Sequence, residues 1–161
     1  MALVLDAPPA PSLPPRAGGW ALRPTTDPAE ASRRGARAYT ATCDAGPPVR
    51  LEIHRVPHHP LRACYPFGAH DLVLSVTPAT EVAPITDLLR GLLPALFTAD
   101  PRCRRIIAAP AECDSATQLT LEAAGFRRVT EADLPDGSVV LYTAEPPSVT
   151  GVSTALDDMP H

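Results

Sequence analysis

Only a few side chains in this 161-residue chain combine a reactive type with a suggestive position. His70 heads an apolar run, His70-Asp71-Leu72-Val73-Leu74-Ser75-Val76, directly after Phe67-Gly68-Ala69. An imidazole titrates near neutrality, so it suits a general base; it equally suits the polar start of a strand. Two acids, Glu112 and Asp114, follow a second apolar segment built on Ile106 and Ile107. If the two segments are neighbouring parallel strands, either acid is able to orient His70 from across the pair. Asp114 has a competing use as a helix N-cap, accepting the amides of the next turn, and the cap alone accounts for it. His58-His59, bracketed by prolines, lacks a third metal ligand, so the pair is expected to be a solvated turn with no metal. Arg33-Arg34-Arg37 and Arg102-Arg104-Arg105 are expected to be exposed arginines of a helix and a turn. The four cysteines, Cys43, Cys64, Cys103 and Cys113, show no CxxC spacing and are read as free thiols.

These groups need a scaffold, and the pattern supplies one. Cys103 to Thr130 reads as a strand over 104–109 ended by Pro110, a helix capped by Asp114 and stopped by Gly125, and a strand opened by Phe126. Before it, Trp20–Arg23 alternates as a short strand, and Asp27-Pro28 starts a helix that is expected to reach about Tyr39. Val49–Val56 alternates apolar with charged residues as a half-buried antiparallel strand does, and Leu61–Phe67 is expected to return as its hairpin partner. His70–Val76 is a third, interior strand. Glu81–Phe97 is a helix with Leu88, Leu89, Leu92, Leu93 and Leu96 inward, which Pro94 should kink or end early. Ser138–Ala144 closes the series after the Asp136-Gly137 turn. Hairpins followed by a strand–helix–strand crossover give a mixed α/β sheet, antiparallel at its ends with a parallel pair in the middle and flanked by helices.

Composition narrows the function. A 45% hydrophobic content fits one domain with a full core. All 14 basic residues are arginine and the net charge is −4, which argues against a general nucleic-acid binder. Residues 1–17 are expected to be a flexible Ala/Pro-rich arm, 18–145 the domain, and 146–161 a disordered tail. The first residues are too proline-broken for a signal peptide and no apolar run approaches a membrane span, so a cytoplasmic protein without membrane contact is expected.

From Trp20 to about Ala144 the order of elements resembles the GNAT acyltransferases. The helix ending Ala124-Gly125-Phe126 is their tail signature. Phe67–Leu74, Leu88–Arg102 with its Asp100-Pro101-Arg102 turn, and Ile106–Phe126 are similar to the branch that acylates lysine or hydroxylysine side chains in siderophore pathways. That resemblance implies a parallel pair formed by the fourth and fifth strands of the family sheet, and an acetyl-CoA or other acyl-CoA co-substrate. It implies a small-molecule amine acceptor, with a biosynthetic protein partner possible. It makes His70 the base and Asp114 or Glu112 its orienting acid. Ser75, Val76 and Thr77 would hold the thioester and pantetheine, while Ala83, Ile85 and Thr86 fall in the pyrophosphate loop. That loop departs from the family pattern: Glu81-Val82-Ala83-Pro84-Ile85-Thr86 has neither glycine nor arginine. Two alternatives follow, a degenerate GNAT fold that serves as an interaction or regulatory protein, and an enzyme of the same cleft that takes its acyl group from a carrier protein.

Overall fold

A computed structural model of the chain describes residues 8–25, 35–44, 46–64, 66–78 and 85–146. Eight strands form one sheet: β1 (Arg16–Ala17), β2 (Trp20–Pro24), β3 (Ala36–Thr42), β4 (Val49–Arg55), β5 (Leu72–Pro78), β6 (Ile106–Ala108), β7 (Arg127–Leu134) and β8 (Gly137–Ala144). Two helices, α1 (Ile85–Ala99) and α2 (Ser115–Ala123), complete the described regular structure with two short 3₁₀ turns. The spatial order is β1-β2-β3-β4-β5-β6-β8-β7. Neighbours are antiparallel except β5 and β6, which run parallel across the α1 crossover. The fold is thus the mixed α/β sheet that the pattern implies.

Alternation explains the centre. In β4, Val49, Leu51 and Ile53 are fully buried while Arg50 is exposed. The strand pairs with β5 along its whole length, from Val49↔Pro78 to Arg55↔Leu72. Leu72 and Leu74 join the larger core, into which α1 lays Leu88, Leu89, Leu92 and Leu96. Burying each such leucine is worth roughly 2 kcal/mol, so this face anchors the sheet. Val73, Ile107 and Leu141 point to the opposite face, where Val56 and Leu61 cover them. Helix α2 starts on Asp114, whose Oδ1 accepts from the Thr117 amide at 3.1 Å. It ends in a Schellman arrangement: Phe126 N–H reaches Leu121 O and Gly125 N–H reaches Glu122 O, with Gly125 at φ 103°.

Three sequence expectations are corrected. Ala36–Thr42 is strand, not the end of a helix, because β3 fills the place between β2 and β4 and its Ala-rich pattern hides a Tyr39 and Ala41 that face the core, with Ala38 buried on the other face. The expected helix start at Asp27-Pro28 lies outside the described residues. Leu61–Phe67 is not a hairpin strand: Val56–His58 and Pro60–Ala63 form the 3₁₀ turns, since Pro57 and Pro60 remove ladder donors and fix φ. Pro94 does not end α1, which continues to Ala99. It lies on the exposed side, where water can meet the carbonyl it leaves unbonded.

The Ala/Pro-rich segment is held against the sheet over its described part. Leu13 N–H donates to Tyr39 Oη at 3.0 Å, Arg37 Nε to Ala10 O at 2.7 Å, and Ala10 is buried. At the far margin β7 is exposed along most of its length and shifts register between Arg128 and Thr130.

Candidate active site

The parallel pair opens soon after it starts. β5 and β6 are in register only at Leu72↔Ile106 and Val73↔Ile107. β6 ends at Ala108, and the chain then turns at Pro110 to bridge Ala111 to Val139. Leu72 N–H donates to Arg105 O, on the β6 side, and Val56 N–H bonds Asp71 O on the β4 side. Backbone direction alternates along a strand, and the Val73↔Ile107 pairing spends the Leu74 amide on Ile107 O, so the Leu74 carbonyl and the amide and carbonyl of Val76 face the opening. Ser75 and Thr77 turn their backbone groups towards β4. An extended, amide-bearing ligand would find there the unpaired edge of a strand.

The opening leads, on the face away from the helices, into a 280 Å³ pocket. Val73 and Ser75 form one wall, Ala109, Leu134 and Asp136 the other, and His59 the roof. The Pro-bracketed turn sets His59: its Nδ1 accepts from Leu61 N–H at 3.1 Å, so the neutral ring carries its proton on Nε2. Burial, and then the nearby His54, pull its pKa down to about 4. The two rings meet edge-on with centroids 5.3 Å apart. His54 Nδ1 is buried without a hydrogen-bond partner among the described residues, and burial lowers the pKa of this ring too, against the opposing charge of Glu52. His54 and His59 are therefore packed together and neutral, which corrects the expected solvated His58-His59 turn for His59; His58 is exposed as expected, with its ring lying over Gly35.

A second polar cluster lies at the other end of the parallel strands. Arg55, 3% exposed, donates from Nη1 to Asp100 Oδ2 at 2.7 Å, and His70 Nδ1 meets the same oxygen at 3.3 Å. Burial pushes the Asp100 carboxyl up, but Arg55, His70 and the Arg102 amide outweigh it and hold it below the ordinary aspartate value. Asp71 accepts from Gly68 N–H at 2.8 Å and Arg105 N–H at 3.2 Å. Cys103 is buried, and its thiol is pushed up to about 12 by burial and then by the charges of Asp71 and Asp100.

Comparison with known proteins bears on the fold. No protein-family model matches the chain, and no curated protein does. Among solved structures, the aminoglycoside acetyltransferase AAC(6')-Ib in complex with coenzyme A and kanamycin superposes with a TM-score of 0.66 at 19% identity, over 76% of this chain and 74% of that one. Mycobacterium smegmatis RimJ in complex with CoA-disulfide gives 0.55 at 19% identity, over 82% and 71%. An uncharacterised protein from Bacillus halodurans gives 0.63 at 22% identity, over 68% of this chain, which spans 58% of that one. This chain has the GNAT acetyltransferase fold.

Within this GNAT sheet the residues singled out from sequence separate into three places. Ser75, Val76 and Thr77 lie on β5 beyond its last pairing with β6, with Val76 the one of the three whose backbone turns away from β4. Ile85 and Thr86 begin the described part of α1, and Ala83 lies outside the described residues. His70 stands in the turn before β5, five residues before Ser75, and the strand part of that path, Leu72 to Ser75, alone spans about 10 Å at about 3.3 Å per residue. The structure orients it with Asp100, not with Asp114 or Glu112. Asp114 spends both oxygens on Thr117, Oδ2 accepting from Oγ1 at 2.6 Å, and Glu112 is exposed beside Ala111. His59 and Asp136 were missed as pocket residues; the Pro135-Asp136-Gly137 signal was read only as a turn. Among the described residues no group of three or more His, Cys, Asp or Glu is placed to hold a metal ion. No helix there is long and apolar enough to cross a membrane.

Proposed function

We propose that the chain is an acyl-CoA-dependent N-acyltransferase for a small-molecule amine or N-hydroxyamine of the lysine or ornithine type, in siderophore or other secondary metabolism. The unpaired inner edge of β5, opening onto the Ser75–His59–Asp136 pocket, carries this reading. Acyl-CoA supplies an activated thioester; the Leu74 carbonyl and the Val76 amide and carbonyl offer the backbone groups to align its pantetheine amides, and Ile85 and Thr86 stand at the start of the described part of α1. Asp136 attracts the cationic amine into the pocket; the amine gives one proton to solvent before its nitrogen attacks, and Asp136 accepts the second as the tetrahedral adduct collapses to the amide and the thiolate leaves. Ser75 Oγ–H, at the mouth of the opening, hydrogen-bonds the departing thiolate, which takes its proton from water. His59, neutral with its Nε2–H outward, orients the acceptor. His70 lies before the N-terminal end of β5 and outside this pocket, so the proton falls to Asp136.

Titration calorimetry with acetyl-CoA and its non-reactive desulfo analogue, followed by acetylation assays on lysine, ornithine and N-hydroxylysine, tests the proposal. Micromolar binding with turnover is expected, and Asp136→Asn should lower kcat/KM by about a hundredfold while His70→Ala changes it less than about threefold. The reverse ranking would return the base to His70.

A second reading has its own observation. The 81–86 segment offers no glycine or arginine to a pyrophosphate, and Asp87 in the first turn of α1 repels one. A folded chain that binds neither CoA compound would favour a GNAT-fold interaction protein, or an enzyme fed by a carrier protein. Capture by an acyl-carrier protein separates those two.

A further inference from the structure

We propose that the pocket at the N-terminal ends of β5 and β6 is a second ligand site, built for a small organic anion with a phosphate or carboxylate head on an apolar body. This inference does not rest on the acyl-transfer reading, because none of its residues borders the β5/β6 opening.

The pocket is 440 Å³, within the roughly 300–1,000 Å³ of small-molecule sites. Pro66 and Phe67 give it an apolar floor, His70 lies at its back, and Arg102, Arg104 and Arg105 line its rim. The charge there is unbalanced in a definite direction. Both nearby carboxylates are already committed: Asp71 to the Gly68 and Arg105 amides, Asp100 to Arg55, His70 and the Arg102 amide. The guanidinium groups of Arg102 and Arg104 have no hydrogen-bond or ion-pair partner among the described residues. His70 uses only Nδ1 on Asp100, which leaves Nε2 for a ligand. Arg105 spends Nη1 on Pro66 O at 3.3 Å, so the open cations are Arg102 and Arg104, and in a chain of net charge −4 two such cations over a concave apolar floor are not the average surface.

The rim is also held in place. Arg102 and Arg105 have their amides fixed by Asp100 and Asp71, Cys103 N–H bonds Asp100 O at 3.1 Å, and Leu72 N–H bonds Arg105 O at 3.1 Å. The arginines thus project from a backbone that need not reorganise to bind, and a planar guanidinium fork matches phosphate and carboxylate oxygens alike. The apolar floor adds a demand that a bare inorganic ion does not meet.

Calorimetry on the full chain with inorganic phosphate, phenyl phosphate and benzoate tests this. Phenyl phosphate is expected to bind about tenfold more tightly than inorganic phosphate, because the ring covers Pro66 and Phe67. Benzoate against phenyl phosphate decides which head the rim prefers, and either ranking upholds the site. The double variant Arg102→Ala/Arg104→Ala, exposed and remote from the core, should weaken binding at least about tenfold with an unchanged circular dichroism spectrum. The His70 ring resonances should move on saturation in the parent chain. Absence of saturable binding, affinities that ignore the double variant, or equal affinities for phosphate and phenyl phosphate would each overturn the proposal.

Discussion

His59 ties a side-chain environment to a pH dependence. Its pKa in the folded chain is about 4, against 6.5 for a free imidazole. Between those values the unfolded chain takes up a proton that the folded chain refuses, so stability falls as pH drops from about 6.5 to 4. Below 4 both states carry the proton and the contribution levels off. The ring is only partly buried, so solvent screening keeps the slope shallow. Denaturant unfolding of the parent and of His59→Gln at pH 7 and 4.5 should show a flatter dependence in the variant; identical slopes would clear His59 as the source. His54, also lowered, acts in the same direction, whereas the Asp100 carboxylate loses its contribution only at still lower pH, as it protonates below the ordinary aspartate range. Sequence showed His70 at the head of its strand but not its partner, because Asp100 is 30 residues away and only the fold brings them together. It passed over His59 for a related reason: a proline-flanked turn looks solvated until Leu61 and the β7–β8 turn pack around it.

Elements were legible where local chemistry decides them. Asp114 and Gly125 mark both ends of α2, and the alternation of β4 survives into its burial pattern. They were not legible where neighbours decide. β3 is a strand because it has β2 and β4 beside it, and 56–63 turns because prolines and the second core meet there. Helix α1 offers a direct measure of such contact. A Cβ on Gly91 would meet Gly18 N at 3.1 Å and Ala17 C at 3.2 Å, both backbone atoms of the β1–β2 turn. An alanine mid-helix normally gains about 1 kcal/mol over glycine, but overpacking against backbone costs about 1–3 kcal/mol. Gly91→Ala should therefore be less stable by about 1 kcal/mol in equilibrium unfolding. A gain would mean that the turn yields.

Across the whole molecule, Arg55 joins parts that are distant in sequence. It donates to Pro8 O and Pro9 O, to His70 O at 2.6 Å, and to Asp100. The start of the described chain, β4, the lead-in to β5 and the exit of α1 all meet on one guanidinium. Arg55→Met would leave Asp100 buried without its cation, at a cost of about 3–5 kcal/mol. Amide exchange should then accelerate over residues 10–14 as well as 100–105; protection unchanged in the first segment would show that Tyr39 and Arg37 hold it alone. The margins of the sheet carry a last consequence. β1 is two residues long, too short to recruit a foreign strand. β7 has eight residues, but the irregular step at Val129 and the charges of Arg127, Arg128, Glu131 and Asp133 guard its free side. A second molecule zipping on there would have to flatten that step and dehydrate four ions, which is how a long open border avoids seeding aggregates.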